Sequence, residues 1–431
     1  MPFIADLHIH SHYSRSTSKD MNIESLHRWA QLKGISVLGT GDFTHPAYFA
    51  ELREKLEPAE QAGLFKLKQE FAAPLDDQVP TSCRAPVRFM LSCEISCIYS
   101  KDKKTRKVHN LVYCPDFPAA AKVNAELTKI GNLKSDGRPI LGLDSKVLLD
   151  IALQADERNF FVPAHAWTPH FSIFGAFTAF QSLEECFGDL APHVRAIETG
   201  LSSDPPMNWR LSQLDNIALI SNSDAHSPAK LAREANIFET EMSYVGIIKA
   251  ICDNDPRTFV GTIEFFPEEG KYHVDGHRNC GVRLTPKETI MHDGRCPKCG
   301  RKITVGVCAR VETMADRQED EIPQGRVPFE SLIPLQEIVS ECVQVGVNSK
   351  KVTTEYFRLL AELGPDLHIL RAAPLHDIHA TGGPVLAEAI RRVRTRAVHI
   401  DPGYDGEYGT IKIFNDGERE KIIDDGQMSL F

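Results

Sequence analysis

Seven short apolar runs recur through residues 1–265, at 3–9, 35–40, 88–93, 108–113, 160–163, 194–198 and 217–221. Segments of helical spacing separate them, among them 23–32, 144–155 and 244–253. Strand-length apolar runs alternating with amphipathic segments build βαβ units, whose strands run parallel. Seven such units predict an α/β fold in which the sheet closes into a TIM-like barrel.

The alternation breaks at Phe265-Phe266-Pro267. Residues 273–310 are rich in His, Cys, Gly, Lys and Arg, and residues 311–422 form a third segment punctuated by Gly364-Pro365 and Gly382-Gly383-Pro384. The sequence therefore divides into a barrel (1–265), a Cys/His module (273–310), a small α+β C-terminal domain (311–422) and a polar tail (423–431). With 42% hydrophobic and 25% charged residues, disordered and fibrous classes are excluded. No apolar run nears the roughly 20 residues of a membrane helix. Nothing at Met1-Pro2-Phe3-Ile4 reads as a signal peptide, so a cytoplasmic protein is expected, with its 11 cysteines reduced. The net charge of −10 excludes bulk attraction to nucleic acid. Contact with a phosphate backbone would need bound cations and local patches. Two basic runs are candidates: Lys101, Lys103, Lys104, Arg106 and Lys107, then Arg391, Arg392, Arg394 and Arg396.

The ends of the apolar runs carry the chemistry. His8 and His10 lie two apart, hence on one face of a strand. Asp42, Glu94 and His165 follow other runs, His109 lies within one, and Asp224 and His226 are again two apart. In a parallel barrel all strand C-termini share one mouth, so eight distant positions converge there. Imidazoles with carboxylates suit zinc, manganese or iron rather than calcium. His12, His27, His170 and His193 read as surface or structural residues, and His45 as the exception.

This order of ligands resembles the PHP (polymerase and histidinol phosphatase) superfamily. The resemblance implies a distorted (β/α)7 barrel, a cluster of up to three metals and phosphoester hydrolysis. It also implies that His8, His10, Glu94 and Asp224 hold one ion, and that Glu94 bridges to a second with His109 and His165. Asp42 and His226 would belong to a third. Thr40-Gly41-Asp42-Phe43 and Ser16 depart from the common pattern, which leaves His45 or Asp20 as further donors to that third ion. A metal lowers the pKa of its water from 15.7 to about 7, and paired ions stabilise both attacking and leaving oxygens.

His277, Cys280, Cys296 and Cys299 follow the pattern His-x2-Cys-x15-Cys-x2-Cys, which predicts a closed structural zinc site. Cys308 is an alternative to His277 as fourth ligand. Arg278, Lys287, Arg295, Lys298, Arg301 and Lys302 make the module basic, a surface for a phosphate backbone, the alternative being a purely structural role. Trp167, Phe171, Phe174, Phe177 and Phe180 read first as a helix or core stripe, and alternatively as a wall against an extruded base. The terminal Gln427-Met428-Ser429-Leu430-Phe431 is similar to peptides that grip a sliding clamp, Leu430 and Phe431 filling an apolar pocket and Gln427 bonding at its rim.

The succession of PHP barrel, zinc knuckle and Asp401-Pro402-Gly403-Tyr404-Asp405-Gly406 resembles the endonuclease Q family over nearly the whole chain. That resemblance implies a DNA repair enzyme that nicks 5′ to uracil, hypoxanthine, xanthine or an abasic site, leaving 3′-hydroxyl and 5′-phosphate. Asp224, Glu94 and His226 would be its catalytic residues, and Zn2+, with Mg2+ or Mn2+ also possible in the catalytic cluster, its metals. The competing readings are a PHP phosphatase for a small phosphomonoester and a non-catalytic, clamp-tethered DNA adaptor.

Overall fold

The structure, a computed structural model, describes residues 2–428 except Ala179, with only the backbone for 424–428. Three predicted helices form as Ile23–Lys33, Ser145–Ala155 and Tyr244–Asp253. Each starts at a side chain that accepts an otherwise orphaned N–H: Asn22 from Ser25, Asp144 from Lys146 and Ser243 from Gly246. Gly34 and Asn254 end the first and third in the left-handed region.

The main sheet is mixed, not parallel. Its path runs Phe329–Ser331, Phe259–Glu264, Ala235–Phe238, Phe3–Asp6, Val37–Gly39, Arg88–Lys101, Lys104–Cys114, Phe160–Pro163. Phe3–Asp6 is parallel to Val37–Gly39 but antiparallel to Ala235–Phe238. The runs at 88–93 and 108–113, read above as separate units, belong to one long hairpin. Its turn, Asp102-Lys103, takes positive φ at both residues (52° and 60°), the geometry that matches strand twist. Ala196–Glu198 and Ala218–Ile220 form a separate parallel pair. The described strands thus form an open path, and the expected closed barrel is not observed. Single backbone bonds beyond the strand ends still draw the segments together: Ala164 N–H donates to His109 O (3.0 Å), Ala166 to Glu198 (2.9 Å), Thr199 to Ile220 (2.9 Å) and Asp224 to His8 (2.9 Å).

The expected aromatic stripe is core without being a helix. Trp167, Phe174 and Phe180 are buried, Trp167 Nε1 donates to Asn208 Oδ1 (2.7 Å), and Phe177 is exposed. The Cys/His module has its own small core of Val282, Leu284, Cys296 and Ile303. Residues 401–405 of the segment from 399 to 412 pack on it, while Ile411 packs against the main core. Val274 N–H donates to Gly403 O (3.1 Å), Arg278 N–H to Asp405 Oδ2 (2.6 Å), and Arg283 lies over Tyr404. Gly276 permits that contact, since a Cβ there would come within 2.3 Å of the Tyr404 ring.

The C-terminal domain is mainly helical, with Leu335–Val343, Lys350–Leu363, Asp366–Arg371 and Leu375–Arg394, the last broken at Gly383. Lys33 of the first helix donates to Asp366 Oδ2 (2.6 Å), which also accepts from Tyr356 (3.0 Å). All three are buried, so this ion pair locks the helical domain to the sheet domain. No described helix is long and apolar enough to cross a membrane.

Candidate metal centre

The His8-to-His10 segment continues past its strand and pairs with the segment that follows Ala218–Ile220. Asp224 N–H donates to His8 O (2.9 Å) and His10 N–H to Ala225 O (3.1 Å). Two pairs of candidate ligands, distant in sequence, are thereby laid side by side. Potential ligand atoms fall into three groups, each with all its atoms within 4.8 Å of one another: His8, His10, Glu94; Glu94, His109, His165; and His10, Asp224, His226. Glu94 and His10 each belong to two groups, so the groups form one cluster.

The centre of that cluster holds polar atoms that nothing satisfies. His8 Nε2, His10 Nε2 and Asp224 Oδ1 are buried without a hydrogen-bond partner. Asp224 Oδ1 lies 3.0 Å from His10 Nε2 and 3.7 Å from His8 Nε2, while Glu94 Oε2 lies 3.2 Å from His10 Nε2 and 3.8 Å from His8 Nε2. Leaving buried polar atoms unpaired costs roughly 1–3 kcal/mol each. Converging unpaired imidazole and carboxylate atoms are what a divalent transition ion would satisfy, so the residues fit such ions. Burial lowers the pKa of His109 to about 4, keeping it neutral, the form that binds metal. Burial would raise Glu94, but the Arg138 guanidinium and hydrogen bonds from the His10 and His109 rings outweigh it and hold the carboxylate well below its ordinary range.

Other residues stand behind these atoms. Glu198, absent from the predicted site, accepts from His8 Nδ1 (3.0 Å), from the His165 backbone N–H (2.8 Å) and from Asn222 Nδ2 (2.9 Å). One buried carboxylate therefore fixes the tautomer of His8 and the backbone of His165. Glu198 also ends a predicted strand, the same signal that marked the other positions. Asp42 is placed differently from its predicted role as a ligand to a third ion. Its Oδ1 accepts from His10 Nδ1 (3.0 Å), while Oδ2 accepts from Ser11 N (2.6 Å), Ser11 Oγ (2.7 Å) and Ser14 Oγ (2.8 Å). With both oxygens engaged, Asp42 orients His10 and lies outside the grouped ligand atoms. Burial works against its charge, yet His10 and these donors keep its pKa below the ordinary value.

His226, expected beside Asp42, instead joins His10 and Asp224, its Nδ1 donating to the Asp224 carbonyl (2.9 Å). His45 stacks on Tyr13 with centroids 4.3 Å apart, and Asp20 is exposed beside Ser18, so neither joins the cluster. Arg138, unmarked in the sequence, places Nη1 3.0 Å from Glu94 Oε2.

His277, Cys280, Cys296 and Cys299 form a fourth group within the same 4.8 Å limit. Three thiols and an imidazole this close, none in a disulfide, are a zinc donor set. Burial opposes ionisation of Cys296, but backbone N–H groups of Lys298 and Cys299 bring its pKa down to about 7. Cys308 lies elsewhere, its Sγ 3.3 Å from His273 Nε2.

The basic runs are largely spent within the fold. Arg106 is buried against Glu185 (3.1 Å), and Lys101 donates to the Glu185 and Cys186 carbonyls. Arg394 caps the carbonyls of Ile369, Leu370 and Ala373, while Arg391 and Arg392 pair with Glu388. Lys103 and Lys104 remain exposed. The clamp-like peptide lies outside the described residues, apart from the backbone of Gln427 and Met428.

A family model described as "MJ0043 C-terminal domain" matches residues 334–397. The chain is 32% identical over 257 residues to the uncharacterized protein MJ0043 of Methanocaldococcus jannaschii, covering 57% of this chain but only 31% of that longer protein. The lesion-specific endonuclease PfuEndoQ from Pyrococcus furiosus has a solved structure that superimposes with TM-score 0.83 at 32% identity, covering 98% of this chain and 97% of that one. A structure of Endonuclease Q, in complex with a 27-mer duplex carrying an abasic lesion at the active site, matches with TM-score 0.82 at 31% identity, over 100% of both chains.

Proposed function

This chain belongs to the endonuclease Q family, and from that membership we propose that it is a metal-dependent DNA repair endonuclease. It hydrolyses the phosphodiester on the 5′ side of an abasic site or of a deaminated base (uracil, hypoxanthine or xanthine). The observation that carries this reading is the cluster of unsatisfied His8, His10 and Asp224 atoms around the shared carboxylate of Glu94.

In this reading His8, His10, Glu94, His109, His165, Asp224 and His226 hold the catalytic ions, of zinc with manganese or magnesium. When bound, such ions supply Lewis-acid polarisation of the phosphate and make water acidic enough to attack at neutral pH. The chain's own residues do the rest. Glu198 and Asp42 clamp His8 and His10 by their Nδ1 atoms, so each presents Nε2 to the centre. Glu94 and Asp224 supply the negative charge that gathers cations in a net-negative protein. With Nδ1 bonded to the Asp224 carbonyl, His226 turns the lone pair of Nε2 to the half-exposed rim, where it would complete a ligand set with His10 and Asp224. Water adds to phosphorus as the bond to the 3′ oxygen breaks, and the proton that the water loses reaches that oxygen through solvent, giving 3′-hydroxyl and 5′-phosphate ends.

Beside this mouth lies a cavity of about 400 Å³, lined by His170, Arg233, Tyr272 and Tyr408 among others. Arg233 joins it to the cluster, donating to the carbonyls of Ser223 (2.8 Å) and Asp224 (3.3 Å). An extruded base would enter here, at an unstacking cost of a few kcal/mol that damaged or missing bases reduce. Residues 1–265 carry the chemistry, 273–310 with 311–422 grip the duplex, and Gln427, Leu430 and Phe431 tether the enzyme to a sliding clamp in a nucleoid-associated, cytoplasmic setting.

The test is incubation with end-labelled duplexes carrying an abasic site, uracil, hypoxanthine, xanthine or no lesion. Nicks 5′ to each lesion, lost in Asp224→Asn, are expected. Cleavage of nucleotide monoesters alone would overturn the reading.

A further inference from the structure

Within the proposed nuclease reading, we infer that Arg138 is a catalytic residue that binds a non-bridging oxygen of the scissile phosphate. Four observations lead there. The first is its partner. Arg138 Nη1 lies 3.0 Å from Glu94 Oε2, an oxygen that also lies 3.2 Å from His10 Nε2 in the cluster that fits metal ions. A guanidinium and a divalent cation compete for that oxygen. Once the cluster carries its ions, the guanidinium is repelled from it and needs another anion. The anion that the reaction itself brings to this place is the phosphate.

The second is how the residue is delivered. Gly137 N–H donates to Tyr13 O (3.0 Å), and Arg138 N–H donates to Asp136 Oδ1 (3.1 Å). Gly137 is pressed so closely on the cluster's support that a Cβ would come within 2.3 Å of Asp42 Oδ2 and 2.5 Å of Ser14 Oγ. The backbone is therefore fixed to the carboxylate that orients His10, and the long side chain carries the guanidinium from there to Glu94.

The third is exposure. The Arg138 side chain is 26% exposed, whereas that of Glu94 is fully buried. The guanidinium forms part of the wall between the ions' place and solvent, where a backbone phosphate must arrive.

The fourth is the fate of the neighbouring cations. Arg233 spends its donors on the carbonyls of Ser223 and Asp224, and Lys107 lies over the Phe171 ring at 5.3 Å. Arg138 instead spends its contact on a ligand oxygen that metal binding claims. A planar guanidinium matches two phosphate oxygens at once, which a lysine cannot do.

Arg138→Gln keeps a donor for Glu94 and removes the charge, and Arg138→Lys keeps the charge without the fork. Both are compared with the wild-type, metal-loaded enzyme by single-turnover nicking of an abasic duplex across a salt series, with metal content measured by mass spectrometry. Wild-type nicking must be present for the comparison; its absence would sink the nuclease reading itself rather than this role. The expected result is unchanged metal content, a rate about 100-fold lower in Arg138→Gln, and partial recovery in Arg138→Lys. The salt dependence of half-saturation in Arg138→Gln should weaken by about one phosphate contact. A wild-type rate in Arg138→Gln would overturn the proposal. So would loss of metal from Arg138→Gln that Arg138→Lys restores, because Arg138 would then be only a countercharge for Glu94.

Discussion

At Asp42, His165 and Asp224 the backbone takes positive φ (44°, 29° and 46°), a conformation that side chains other than glycine's rarely adopt. Such positions cost about 1–3 kcal/mol each and persist where the surroundings over-determine them. Here Glu198 holds the His165 N–H and the His8 carbonyl holds the Asp224 N–H. Glu198→Gln should therefore fold but lose about 10–100-fold in metal affinity, because His8 loses its charged partner. Metal retention against a competing chelator checks this, and wild-type retention would contradict it. Glu264 supports a second prediction. Burial, aided by the nearby Asp204 carboxylate and opposed by hydrogen bonds from Thr262, Thr199 and Ser221, raises its pKa from 4.5 to about 8, so the folded state favours the neutral acid. The stability this contributes is complete below about pH 4.5 and is lost as pH rises through about 8, on the order of a few kcal/mol. Thermal melts between pH 6 and 9 should show that decline, and Glu264→Gln should flatten it. The ligand residues were legible because each closes, or lies within, an apolar run. Glu198 carries the same mark, at the end of the run 194–198. The role of Asp42 was hidden because the hydroxyls of Ser11 and Ser14, which occupy its oxygens, have no diagnostic spacing. Arg138 lies in a Pro/Gly-bounded loop with no periodicity at all.

At the scale of elements, strand positions were readable and strand directions were not. Apolar runs mark where the chain is buried, but direction depends on the connection. The connection from 101 to 104 is a two-residue turn of Asp102 and Lys103, without the glycine or asparagine that usually announces one. The parallel expectation failed there, and with it the closed barrel. The Cys/His spacing was the reverse case, since thiol and imidazole chemistry needs little tertiary context to be recognised. The module's apolar core is only four side chains, so its order should depend on metal. Cys299→Ser should make residues 273–310 protease-sensitive. It should also loosen the segment from 399 to 412, which hangs on the module through Arg278, Arg283 and Thr304. A digestion pattern identical to wild type would contradict a structural metal site.

Across the whole molecule, the sheet domain and the helical domain act as one body through the buried Lys33–Asp366 pair. Lys33→Met leaves the Asp366 carboxylate buried with Tyr356 alone, and removing one partner of such a pair costs roughly 3–5 kcal/mol. A denaturant midpoint lowered accordingly, with metal content unchanged, is expected. Under the proposed function, the duplex would span this frame, with the ion cluster in one part and the Cys/His module and helices in the others. The direct test of this account is to strip the purified protein of metal by exhaustive chelation, verify its content by elemental analysis, and assay nicking of an abasic duplex before and after adding back zinc, manganese or magnesium. The account predicts no nicks from the stripped protein and recovery, 5′ to the lesion, with at least one ion. Undiminished cleavage by protein shown to be free of metal would contradict it.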